Sequence, residues 1–184
     1  MIHPNLIDIA QQDPSIALDI RYATSNNIVG KPLYRQAICY MHRDTATALM
    51  RVQTMLRQQQ LGLKIFDAYR PAAAQEALWQ AVPDPRYVSN PQQGGRHSRG
   101  TAVDVTLINA QGQELPMPSG FDEMNRKAHR DYQEATAAAL RHRDQLEQAM
   151  QQHGFVPFAT EWWHFDLQGW EDYPPIDVAG LAVP

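Results

Sequence analysis

Apolar residues recur along the chain with two different periods, and the period marks the elements. Ala46, Leu49, Val52, Met55 and Leu56 fall at helical spacing, with Asp44 placed to cap the start of that helix and Gly62 to stop its end. Leu63 to Tyr69 then reads as a strand. Pro71, whose fixed φ and missing N–H cost nothing in a first turn, opens a second helix over Ala72 to Ala81. Thr101 to Leu107 is rich in β-branched residues and alternates, so Thr101, Val103, Val105 and Leu107 form a core face, with Ala102, Asp104 and Thr106 opposite. Glu134 to Gln152 has few apolar positions, Ala139, Leu146, Ala149 and Met150 among them, and predicts a one-sided surface helix ended by Gly154.

Shorter stretches read as extended: Leu6 to Ile9, Ile16 to Tyr22 after the turn former Asp13-Pro14, Phe155 to Phe158, and Trp163 to Leu167. Loop composition covers Ala23 to Pro32, Val82 to Gly95, Asn109 to Gln113, Pro116 to Asp122 and the tail from Tyr173 to Pro184. Ser119 and Asp122 match the spacing of a capping box, which would let Asp122 begin a helix.

A length of 184 residues suits one domain, 1–184, with room for a proper core. The 16 basic and 20 acidic residues leave a formal charge of -4, with no basic stripe, so nucleic acid is not an expected partner. Cys39 is single and reads as a small buried apolar residue, so no disulfide ties the chain to an oxidising compartment. No apolar run approaches the ~20 residues of a spanning helix, and the first residues do not form a signal segment. A soluble cytoplasmic protein is expected, without membrane contact, or a periplasmic one had a leader been removed. A homo-oligomer is compatible with all of this.

Two separated stretches carry candidate chemistry. His97 and Asp104 lie seven positions apart across a glycine-bearing turn, and His164 follows Glu161 in Glu161-Trp162-Trp163-His164. Catalytic zinc takes three protein ligands of histidine and carboxylate type and leaves a fourth position for water. His97, Asp104 and His164 supply such a set, with Glu161 better used as base than as a fourth ligand. Residues three apart on a regular strand face opposite ways, so Glu161 must sit in a turn before the strand or on a bulge to join His164. Ser98 beside His97 lacks the surroundings of a serine nucleophile. His3, His42, His129, His142 and His153 read as surface or hydrogen-bonded residues. Arg70, at a strand-to-helix corner, reads by itself as surface.

Taken in order, Asp19-Ile20-Arg21-Tyr22-Ala23-Thr24, Asp67-Ala68-Tyr69-Arg70-Pro71, His97-Ser98-Arg99-Gly100-Thr101-Ala102-Val103-Asp104, Phe121-Asp122 and Glu161-Trp162-Trp163-His164 resemble the zinc D-alanyl-D-alanine dipeptidases, the family of the vancomycin-resistance dipeptidase. The resemblance implies an α+β fold with a small antiparallel sheet packed by helices, and one Zn2+ held by His97, Asp104 and His164. It implies Glu161 as general base, Arg70 as stabiliser of the transition state, and Asp122 and Tyr22 as the site for the substrate's free amino terminus. Ser98 and Arg99 are candidates for the substrate carboxylate by proximity. The implied reaction is hydrolysis of D-alanyl-D-alanine to free D-alanine, serving D-alanine recycling or glycopeptide resistance. The alternatives are a related zinc peptidase of longer or mixed-chirality cell-wall peptides, and a binding module that keeps the metal without hydrolysis. Gly95-Arg96 stands where the family carries two serines, and Arg96 alters the charge at the rim. The shorter Val82 to Gly95 segment predicts a more open site.

Overall fold

The computed structural model describes residues 3–178 and 180–182. Met1, Ile2, Ala179, Val183 and Pro184, part of the first residues and of the tail read above, lie outside the described residues. Strand β1 (Leu6–Asp8) runs into a single helical turn α1 (Ile9–Gln12), capped by the Asp8 carboxylate on Ala10 N–H. Only Ala17–Leu18, strand β2, is extended in the Ile16 to Tyr22 stretch, and Arg21–Ala23 forms a 3-10 turn that buries Tyr22. β3 (Tyr40–His42) pairs antiparallel with β1 and leads directly into helix α2 (Arg43–Gln58).

The apolar stripe of α2 is buried as its spacing predicts, but both ends differ from expectation. His42 rather than Asp44 is the cap, its Nδ1 accepting from Asp44 N–H at 3.2 Å, and the Asp44 charge instead favours the helix from inside its first turn. At the other end Gln60 takes the left-handed conformation (φ 59°), and Gly62 falls inside strand β4 (Leu61–Asp67). There a Cβ would lie 3.4 Å from Gln53, whose side chain accepts from Leu63 N–H and donates to the Ser15 carbonyl. Helix α3 (Ala72–Ala81) has Pro71 as its cap residue.

β5 (Ala102–Asn109) is the centre of a five-stranded sheet. Its order is β2-β4-β5-β7-β6, with β6 Phe155–Pro157 and β7 His164–Leu167. Every pairing is antiparallel except the two-residue edge strand β2, which runs parallel to β4. The fold is α+β. Val103, Val105 and Leu107 join a core with Leu49, Val52 and Leu56 of α2 and with Leu146 and Met150 of α4 (Ala137–Gln151, capped by Thr136). β5 departs from a half-exposed strand because its second face is covered too: Ala102 to Ile108 are all buried. Phe121 contributes to that cover, its ring 4.7 Å from Phe66 and 5.4 Å from Trp163.

Two departures from regular geometry set up the site. β4 slips register between Ile65 and Asp67, so Asp67 sits opposite Asp104 of β5, which in turn sits opposite His164 of β7. Such a bulge re-aims side chains, and here it puts three polar residues in a row across three strands. Glu161 lies in the turn between β6 and β7, where its N–H donates to Phe158 and its carbonyl accepts from His164, each at 3.4 Å. A turn, not a bulge or helix, breaks the strand period as the Glu161–His164 spacing requires.

Asp122 begins no helix. It sits at φ 60° in a loop where Glu123, not Asp122, accepts from Gly120 N–H. The tail crosses the molecule as a strap: Ile176 N–H donates to the Ser98 carbonyl at 2.8 Å, Tyr69 Oη donates to the Ile176 carbonyl at 2.8 Å, and Arg35 N–H donates to Leu181 at 3.0 Å. No helix among the described residues is long and apolar enough to cross a membrane.

Candidate active site

His97 comes from a 3-10 turn (His97–Arg99) closed by Gly100 in the left-handed region at φ 71°. A Cβ on Gly100 would stand 2.7 Å from the His42 backbone nitrogen, so the turn is pressed against β3 in a way that only glycine allows. Asp104 and His164 meet His97 from the paired strands β5 and β7. His97 Nε2 lies 3.2 Å from His164 Nδ1 and 3.5 Å from Asp104 Oδ1, and His164 Nδ1 lies 3.1 Å from Asp104 Oδ1. Tetrahedral coordination at ~2.0–2.1 Å demands ligand atoms about 3.3 Å apart, so the triangle fits an ion of zinc's size. Asp104 Oδ1 is buried and accepts no hydrogen bond, which a cation would remedy. These three residues form a group that could hold a metal ion.

The electrostatics agree. Burial alone would raise the Asp104 carboxyl, but His97 and His164 overcome it and hold the group well below the usual carboxylate range. Burial would lower His164, yet Asp166 and Asp104 push it up to about 10. A proton at His164 occupies the place of a metal, and binding the ion must release it.

Around the cradle the other expected residues converge. Arg70 is buried, 7% exposed, and not a surface residue as its corner position suggested. Its Nε donates to Asp67 Oδ2 at 2.9 Å, its Nη1 to Gln75 Oε1 at 2.9 Å, and its Nη2 stands 3.7 Å from Asp104 Oδ2. Its guanidinium lies 5.0 Å over the Tyr22 ring. Tyr22 Oη donates to Asp122 Oδ1 at 3.0 Å, while Asp122 Oδ2 is buried without a partner. Burial, with the charge of Asp104, pushes Asp122 up to about 7 against the pull of Tyr22 and Arg70. Glu161 Oε2 is 3.7 Å from His164 Nδ1, beside the cradle but outside it. Burial raises it to about 8, helped by Asp104 and Asp122 and opposed by His164 and Arg70.

Tyr22, Arg70, His97, Asp104, Asp122, Glu161 and His164 line one cavity of about 20 Å³. That is room for about one water. Pro85, Tyr87, Val88 and Ser89 of the 82–95 loop close over it, and Gln75 holds the loop through Nε2 on the Ser89 carbonyl at 2.7 Å. The cavity is small rather than open, and the 82–95 loop forms part of its wall. Ser98 is not brought to the cavity: it faces a separate groove with Ala72, Gln75 and Pro175, and Arg99 Nη1 donates to the Tyr173 carbonyl. Arg96 does reach the cavity wall.

Three supporting residues had no role in the sequence reading: Asp67, Gln75 and Asp166. Asp67 anchors Arg70 and also accepts from Tyr34 Oη at 2.6 Å. Asp166 carried a legible signal, since residues two apart on a strand share a face and His164-Phe165-Asp166 puts a carboxylate beside a ligand. Gln75 carried none, because its partners come from two separate segments.

The model of a family described as D-Ala-D-Ala dipeptidase matches residues 3–176. The chain belongs to the D-Ala-D-Ala dipeptidase family. A D-alanyl-D-alanine dipeptidase of Escherichia coli (strain K12) is 44% identical over 169 residues, covering 92% of this chain and 88% of that one. A family member from Enterococcus faecium is 29% identical over 180 residues, covering 85% of this chain and 87% of that one. Among solved structures the LdcB LD-carboxypeptidase superposes with a TM-score of 0.53 at 13% identity, over 93% of this chain and 71% of that one, a likeness of fold.

Proposed function

We propose that the chain is a zinc-dependent dipeptidase that hydrolyses D-alanyl-D-alanine to free D-alanine. One observation carries the reading: a metal-shaped cradle, a buried glutamate beside it and a buried carboxylate oxygen without a partner share one small roofed cavity. The family relationship supports the same substrate.

His97, Asp104 and His164 would hold the zinc ion, which when bound would supply Lewis acidity to the scissile carbonyl and to water. Glu161, adjacent to the cradle, would in its ionised form accept a proton of the attacking water and hand it to the leaving amine. Arg70 points a fixed guanidinium at the cradle, anchored by Asp67 and Gln75, and donates to the oxygen that gains charge. Asp122 Oδ2 receives the substrate's ammonium, with Tyr22 holding the other oxygen.

The test is release of D-alanine by zinc-loaded protein from the free dipeptide and from its N-acetylated form. The free dipeptide should be cleaved and the acetylated one spared, with loss of activity on chelation. Equal cleavage of both would remove the role of Asp122, and no cleavage of either would remove the reading.

A further inference from the structure

Each histidine of the cradle offers its second nitrogen to an acceptor, and the two acceptors differ. His97 Nδ1 faces the Ala68 carbonyl at 2.7 Å. A carbonyl only accepts, so Nδ1 carries the proton and bare Nε2 faces the cradle. His164 is turned the other way: Nε2 faces Asp166 Oδ1 at 2.9 Å, leaving Nδ1 toward Asp104. Asp166 is 4% exposed, and its Oδ2 lies 3.2 Å from Arg96 Nε. The Arg96 guanidinium is held between two rings, 4.6 Å from Phe158 and 4.9 Å from Trp170. Since Arg96 directly precedes His97, the ion pair ties the strand of one ligand to the turn of the other.

We propose that Asp166, held by Arg96, is a positioning residue that fixes His164 in the tautomer presenting Nδ1 to the metal. The competing tautomer matters here. With its proton on Nδ1, His164 would donate to the bare His97 Nε2, 3.2 Å away, and two ligands would satisfy each other instead of a cation. A carboxylate at position 166 accepts from Nε2 and keeps the proton there, so the nitrogen left bare for an ion is Nδ1. Outer partners of this kind raise ligand basicity and fix ring orientation. The inference rests on reading the cradle as a metal site, but it needs no substrate for its test.

Asp166→Asn keeps the shape while offering an amide that can donate to Nε2 and so favour the wrong tautomer. Its zinc affinity, measured by competition with a chromogenic chelator, should fall about 10- to 100-fold. Arg96→Met, which retains an apolar stem between the rings, should lose less. A second readout needs no variant: in 113Cd-loaded, 15N-histidine-labelled wild type, the metal should couple to Nδ1 of His164 and to Nε2 of His97. Coupling to Nε2 of His164, or unchanged zinc affinity in folded Asp166→Asn, overturns the proposal. A chain that binds zinc as expected but cleaves no dipeptide would leave this inference standing and remove only the proposed substrate.

Discussion

Asp104 and Asp122 each bury a carboxylate oxygen that accepts no hydrogen bond, and both oxygens open on the same cavity. Their settings are otherwise opposite. Asp104 stands on the central strand, between His97 and His164, and is held well below the usual range. Asp122 stands on a loop at a left-handed φ of 60°, with one tyrosine for support, and is pushed up to about 7. The difference teaches what each oxygen awaits. The cradle fits a metal ion, with two of its three ligands fixed on paired strands and the third on a tight turn. If Asp122 receives the substrate's ammonium as proposed, its cation comes and goes with the substrate, and its charge is costly between visits.

The comparison breaks most visibly if the cradle loses a ligand. His164→Ala should retain no zinc after gel filtration and show only background hydrolysis. Glu161→Gln should keep one zinc yet lose about 10²- to 10⁴-fold in kcat, because proton transfer fails while the cradle stands. Retained turnover in that variant would falsify the role of Glu161. Arg70→Met should cost about 10²- to 10³-fold in kcat, the usual loss of one preorganised donor. On the other side of the comparison, Asp122→Asn should leave zinc binding intact and raise KM about 10- to 100-fold, the worth of a charged hydrogen bond. Discrimination against the acetylated dipeptide should shrink with it. If kcat falls and KM does not, the ammonium site is misplaced.

The smallest effect is on stability. Without metal, Glu161 rises from an ordinary 4.5 to about 8 and His164 from 6.5 to about 10. Both folded values are raised, so the folded state binds these protons more tightly than the unfolded chain. Stability from them is present below the ordinary values and lost as pH rises through about 8 and about 10. The Tm of metal-free protein should therefore fall between about pH 5 and pH 10, and Glu161→Gln should flatten its lower part. Zinc should raise Tm more at the alkaline end, since the ion displaces protons.

Much of this was legible in the chain. The periods of α2 and β5 place the core, and the motif order around His97, Asp104, Glu161 and His164 points to a metal. The illegible parts share one cause: they depend on contacts between segments far apart. Nothing local marks His42 as a better cap than Asp44, or Gln60 rather than Gly62 as the left-handed residue, because β3 and Gln53 decide those positions. Arg70 reads as surface from its corner position alone, and only the family resemblance marks it; its burial depends on Asp67 and Gln75. Ser98 is adjacent to a ligand in sequence yet faces another groove, since a tight 3-10 turn sends successive side chains in different directions.

The strap from Tyr173 to Leu181 has a consequence in the order of synthesis. The turn that carries His97 is fastened by Ile176 on the Ser98 carbonyl, and Ile176 is made well after His97. His164 likewise follows His97 and Asp104 in order of synthesis. A nascent polypeptide that already contains His97 and Asp104 therefore holds two ligands without their third and without the strap. Until Ile176 has been made, neither the complete cradle nor the fastened turn can form.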